Sequence, residues 1–228
     1  MSTLLLRLSA PLQSWGTESK FDIRDTAFEP TKSGIVGLLA AALGRKRDAD
    51  ISDLNTLRFG VRTDMPGSLI QDFHMVKKDE KTSYVTRRYY LSDAIFLVGL
   101  ESSDKTFLNS LQDALEAPAF PLFLGRRSCP PTLPLCLGIR NKDLPAALRD
   151  EPWLVPDWRQ IQWRRRNKNE NPHLRITIDA LSAEDRNAIQ KDLPITFDPN
   201  HRQYGYRGYS VLKDAEIEIG THDPMQEL

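Results

Sequence analysis

Arg126 and Arg127 stand side by side in the stretch FPLFLGRRSCPPT (120–132), between an apolar run that stops at Gly125 and the pair Pro130 and Pro131. No Asp or Glu occurs between Ala117 and Asn141, so neither guanidinium has a counter-ion nearby in the chain. A guanidinium is always charged and presents a planar fork of N–H donors. Two of them, adjacent and locally unpaired, need acceptors from elsewhere in the fold or from a partner. The competing reading is that one bonds a backbone carbonyl and only stiffens its own loop.

Three other groups of residues have types suited to holding an anion or a nucleic acid. In EPTKSGIVG (29–37) a glycine-containing turn opens a helix, which presents backbone N–H groups and the positive end of the helix dipole, and Lys32 adds charge. The order G-x-x-x-x-G-K-[ST] is absent, so this is not a P-loop. An ordinary capped helix, with Gly34 and Gly37 allowing close packing, explains the same residues. The segment 71–91 carries Lys77, Lys78, Lys81, Arg87 and Arg88 against Asp72, Asp79 and Glu80, interleaved with Phe73, His74, Tyr84, Tyr89 and Tyr90. Basic groups can hold phosphates while aromatic faces stack on unpaired bases. A solvated hairpin with its aromatics packed beneath fits equally well. Last, QWRRRNKN (162–169) holds four basic residues and no acid, the usual composition of a solvated face.

Catalytic signals are weaker. His74 could act as a general base, with Tyr84 or Lys81 as companions, in metal-free cleavage of RNA. No second histidine lies near it: His173, His201 and His222 all fall in the last third. Cys129 and Cys136 are seven apart, which is no metal-ligand spacing, and they read as reduced thiols. There is no Ser-His-Asp set and no paired carboxylate. We expect no metal, no cofactor and no catalytic residue.

The chain has 228 residues, and its 31 basic and 31 acidic side chains balance to zero. Global charge therefore gives no attraction to nucleic acid, and only local patches can. The N-terminal MSTLLLRLSAPLQSW lacks the basic and long apolar regions of a signal peptide, and no apolar run approaches a membrane span. A cytoplasmic protein with no membrane contact is expected.

The elements that would position these groups read in order. TLLLRLSA is a buried strand, followed by a long loop from Pro11 to Thr31. TKSGIVGLLAAALG is a helix capped by Thr31 or Ser33, with Ile35, Leu38, Leu39 and Ala42 on its apolar face and Gly44 at its end. A short helix or turn is expected within GRKRDADISDLNTL. LRFGVRTD is a strand, and 71–91 a hairpin with the polar tip KKDEKTS. AIFLVGL is a central strand, and SDKTFLNSLQDALEAP a helix with Phe107, Leu108, Leu111 and Leu115 inward. FPLFL is expected as a core strand before the two arginines, and PLCLGI as a later strand. This is a βαββαβ order with an inserted hairpin, an α+β fold of the ferredoxin-like or RNA-recognition-motif plan. We place that domain at 1–145, with a thumb hairpin at about 71–91. A small β-rich region follows at 146–228, with strand-like pieces IQWRRR, HLRITIDA, LPITF and YGYRGYSVL.

LLLRLSAPLQSWG, PTKSGIVGLLAAALG, DFHMV, TRRYYLSDAIFLV and PLFLGRRSCPPTLPL, in this order over residues 3–140, resemble the CasD family. These are RAMP-superfamily subunits of the type I-E CRISPR surveillance complex, Cascade. The resemblance implies a non-catalytic subunit that caps the 5′ handle of the CRISPR RNA. It also implies contacts with a backbone subunit and with the large subunit, and an indirect link to target DNA in antiviral defence. In the related type I-C systems the counterpart is itself an endoribonuclease, which keeps processing of precursor RNA through His74 as the alternative. Carried over, the RNA-binding residues are Gln13, Ser14, Trp15 and Gly16 in the first loop. Thr31, Lys32, Ser33 and Gly34 follow at the helix start. His74, Arg87, Arg88 and Tyr89 come from the thumb, and Arg126, Arg127 and Ser128 from the last loop. On this reading the two arginines lack counter-ions because those are RNA phosphates or guanine edges.

Overall fold

A strand that is apolar at nearly every position can be stable only if both faces of its sheet are covered. In the computed structural model, which describes residues 1–16, 23–77, 83–167 and 170–216 (side chains of 213–216 excepted), this holds for the central strands. The elements in chain order are β1 (Ser2–Ser9), β2 (Leu12–Gln13), β3 (Ile23–Arg24), α1 (Lys32–Ala42), α2 (Ser52–Asn55), β4 (Arg58–Met65), β5 (Ser68–Lys77), β6 (Ser83–Ser92), β7 (Ile95–Ser102) and α3 (Lys105–Glu116). Then come β8 (Cys136–Arg140), α4 (Leu144–Asp150), α5 (Asp157–Arg166), β9 (His173–Asp179), β10 (Ala188–Thr196) and β11 (Gln203–Glu216).

The architecture is α+β, built on one seven-stranded sheet in the order β10-β11-β9-β4-β7-β1-β8. Each pairing in it is antiparallel. Leu4, Leu6 and Leu8 of β1 with Phe96, Val98 and Leu100 of β7 point to one face, where α1 and α3 cover them. Leu5, Ile95 and Leu97 point to the other, against Leu144 and Leu148 of α4 and the following Trp153 and Val155. The hairpin β5–β6 leaves this sheet and pairs with β2 and β3 in a small second one.

The second face is locked by a buried ion pair. Arg62 is fully buried; its Nε and Nη2 donate to Asp64 at 2.7 and 2.8 Å, and its remaining N–H groups donate to the carbonyls of Leu148, Glu151 and Pro152. Asp64 also accepts from the Leu154 N–H at 2.8 Å. A buried charge pair is tolerable only when every donor is satisfied in this way.

The structure departs from the sequence reading in several places. IQWRRR belongs to the helix α5, not to a strand: Asp157 in its first turn and Arg164, Arg165 and Arg166 in its last complement the helix dipole. FPLFL forms no strand, since Pro118 and Pro121 cannot donate to a ladder; only Leu124 of that run is fully buried. A helix, α4, also forms after Asp143, whose side chain accepts from the Ala146 N–H as a cap, with a proline in its first turn. The three strands after residue 146 build no separate sheet. They extend the first one through the β4–β9 pairing. The thumb arms run longer than 71–91, over β5 and β6, and residues 78–82 of the expected tip KKDEKTS lie outside the described residues.

Candidate nucleic-acid interface

Thr31 caps α1 by accepting from the Gly34 N–H at 3.2 Å, which fixes where the helix begins. Gly34 is needed here because a Cβ would sit 2.9 Å from the Trp15 ring. Trp15 is buried, its Nε1 donating to Gln13 Oε1, and Gln13 Nε2 donates to the carbonyls of Leu8 and Ala94. The QSWG loop is thus nailed to the core through two of its four residues. From the other side comes Gly125, at φ +84, where a Cβ would lie 1.6 Å from the Ser14 carbonyl oxygen. The Ser14 N–H donates to the Leu124 carbonyl at 3.1 Å, so the two loops touch backbone to backbone. Any side chain at 125 would force them apart.

Where these loops meet α1 there is a cleft of about 530 Å³. Ser14, Gly16, Thr31, Ser33, Gly34 and Arg126 line it. So do Arg24 from β3, Lys191 from β10, Arg202 from the turn before β11 and Tyr204 from β11, none of which the sequence reading named. Among the described residues, four cations line the cleft against one carboxylate, Asp25. Arg126 is held in place by two contacts: its Nη2 donates to the Arg24 carbonyl at 2.8 Å, and its guanidinium lies 4.6 Å from the centre of the Tyr90 ring. Its Nη1 is shut away from solvent and has no partner among the described residues. Arg88 Nε, on the strand next to Arg24, is in the same condition. A buried donor left unpaired costs free energy, and an anionic acceptor would relieve it.

The adjacent arginines do different things. Arg126 both stiffens the loop through a carbonyl and lines the first cleft. Arg127 is exposed and lines a second cleft on the other side of Gly125. Ser128 is exposed between Arg127 and the buried Cys129.

Other expected site residues lie elsewhere. Lys32 is buried: its Nζ donates to the Leu57 carbonyl at 2.9 Å and to Asp179 at 2.8 Å, so it adds no charge to the cleft. Its backbone N–H donates to Asp192 Oδ2, and Arg207 bridges Asp192 and Asp179 with three bonds of 2.8 Å. The start of α1 is therefore clamped to β9, β10 and β11 by two cations and two carboxylates. Of the first-turn N–H groups expected to be free for phosphate, those of Lys32 and Gly34 are already taken by Asp192 and Thr31. Gln13 and Trp15 are core residues that shape the cleft and do not line it.

On the thumb, side chains alternate between faces. His74 and Arg88 share one face, while Arg87 and Tyr89 share the other. His74 Nε2 lies 2.6 Å from Asp72 Oδ2, with 41% of its side chain exposed, and lines neither cleft. The Tyr89 hydroxyl accepts from Gln71 Nε2 at 3.0 Å. β5 is exposed along almost its whole length and carries Phe73 at 61% and Met75 at 75% exposure. Among the described residues, no group of three or more His, Cys, Asp or Glu could hold a metal ion, and no helix is long and apolar enough to cross a membrane.

A family model for CRISPR-associated proteins, Cas5, matches residues 3–209. Over 175 residues the chain is 37% identical to the CRISPR system Cascade subunit CasD of Escherichia coli strain K12, covering 66% of this chain and 78% of that one. It superposes on a chain of a CRISPR RNA-guided surveillance complex with a TM-score of 0.79 and 28% identity, over 99% of this chain and 97% of the other. A crystal structure of a Cas protein matches at a TM-score of 0.69 and 40% identity, over 96% and 100%.

Proposed function

The chain belongs to the Cas5 family of CRISPR-associated proteins, and from that premise we propose that it is a non-catalytic subunit of a type I-E surveillance complex, in the cytoplasm, that holds the 5′ handle of the CRISPR RNA in the cleft beside α1. The observation that carries the proposal is Arg126. It stands in a cleft lined by Arg24, Lys191 and Arg202, with one guanidinium N–H group buried and unpaired. A phosphate or a guanine edge supplies the acceptor that the described residues do not provide. The order β8-β1-β7-β4 within the large sheet, with α1 and α3 on one face, supports a ferredoxin-like core of the RAMP kind. β5 and β6 are its thumb, and the exposed Phe73 and Met75 suit burial against the RNA or a neighbouring backbone subunit. Family membership also supports, within this proposal, contact with the large subunit and through it with target DNA.

The geometry also supports binding without cleavage. General acid–base work on RNA needs its groups within hydrogen-bond reach of one reacting centre. His74 is on the thumb, against Asp72, and outside the cleft that holds the cations. The purified chain, incubated with its own repeat RNA with or without metal, is expected to leave the RNA intact on a denaturing gel. Specific cleavage that disappears in His74→Ala would replace the binding reading with that of an endoribonuclease.

A further inference from the structure

The cleft beside α1 does not end at Gly125. A second cleft of about 910 Å³ continues from it along the exposed side of α1, and the two share Ser33, Gly34, Gly125, Arg202 and Tyr204. Its floor is apolar and aromatic, with Phe120, Phe123, Phe197 and Tyr204. Phe197 and Tyr204 meet edge to face at 6.5 Å, and Phe120 is 46% exposed. Its rim is basic: Arg45, Lys46, Arg47, Arg127 and Arg202, with no carboxylate among the described residues lining it. Arg45 is paired with Asp53, whereas Lys46, Arg47 and Arg127 are exposed and make no ion pair among the described residues.

We propose that this second cleft is a subsite for further unpaired nucleotides of the same RNA, with bases lying on the aromatic floor and backbone phosphates on Lys46, Arg47 and Arg127. The inference rests on the handle-binding reading and deepens it. Two features select the occupant. The surface is continuous with the first cleft, so a strand leaving Arg126 passes Gly125 and meets Arg127 next. An aromatic floor with a cationic rim is also the arrangement that binds single strands without reading their sequence. A protein segment of acidic and apolar character is the other class that could fit, and the test separates the two.

The full chain is titrated by fluorescence anisotropy with two labelled RNAs from the 5′ end of its own repeat-derived handle, of about four and about twelve nucleotides. Wild type is expected to bind the longer one more tightly. In Lys46→Ala/Arg47→Ala the ratio of the two affinities should fall, and the salt slope for the longer RNA should flatten by about 0.7 per lost contact. Phe120→Ala should lower affinity for the longer RNA on the order of tenfold with no change in salt slope, as loss of a stacking surface does. The inference is overturned if both variants keep the wild-type ratio and slope, or if they lose affinity for both RNAs in equal proportion. It is also overturned if RNA binding is intact and only assembly with a protein subunit fails. Wild type binding neither RNA would sink the handle-binding reading itself.

Discussion

Replacing Arg24 and Arg202 together by alanine is expected to weaken handle-RNA binding by about a hundredfold while leaving the thermal melt of the chain nearly unchanged. Both line the first cleft, both are exposed, and neither side chain makes a bond or ion pair among the described residues, so the fold loses little. A hydrogen bond to a charged group is worth about 1.5 kcal/mol or more, and two together give about 3 kcal/mol, near a hundredfold in affinity. The dependence of log K on log salt should flatten by about 1.4, at about 0.7 for each lost single-strand contact. Arg126→Ala is a less clean probe, because it also removes the bond to the Arg24 carbonyl and the stack on Tyr90. Equal affinities and slopes for wild type and Arg24→Ala/Arg202→Ala would take the cleft out of RNA binding.

The largest loss of stability should come from Arg62→Ala, far from that cleft. The substitution strips Asp64 of both its guanidinium bonds and leaves the carbonyls of Leu148, Glu151 and Pro152 without their donor. Breaking one side of a buried pair costs about 3–5 kcal/mol, enough to unfold a marginally stable domain. Burial already pushes the Asp64 carboxyl above its ordinary pKa, with Arg62 opposing that shift. Without Arg62 the folded pKa rises further from the unfolded one. The cost of the ionised carboxyl is then fully present above the folded value and is relieved as pH falls through it toward about 4. Chemical denaturation of both proteins at neutral and mildly acidic pH checks this. A gap between them that stays constant or widens on acidification would show that Asp64 is not the source of the loss.

What could be read from the sequence was local. The Thr31 cap, the inward face of α3 and the continuous apolar strands β1 and β7 follow from neighbours a few residues apart. So does the singling out of Ser14, Ser33, Gly34 and Arg126, whose loops converge on one cleft. What could not be read was set by distant partners. Lys32 looks like a phosphate ligand until Asp179, 147 residues later, and Asp192, 160 residues later, take its ammonium and its backbone N–H. Lys191, Arg202 and Tyr204 reach the cleft only because β9, β10 and β11 join the sheet edge beside β4, and Arg24 because β3 pairs with β6 of the thumb. In α5, Ile161 and Trp163 alternate as a strand would, and only packing of Trp163 on Trp153, with Gln160 bonded to the carbonyls of Trp153 and Val155, reveals the helix. Short runs carry too few turns for their period to decide between the two.

The central claim is that the RNA handle lies in the cleft beside α1. Ultraviolet cross-linking of the RNA-loaded complex, with the cross-linked peptides identified by mass spectrometry, tests it most directly. Adducts are expected on the peptides that hold Ser14–Gly16, Ser33–Gly34, Gly125–Arg127 and Arg202–Tyr204. Adducts confined to α5 or to the α4 face of the sheet, with none on those peptides, would contradict it.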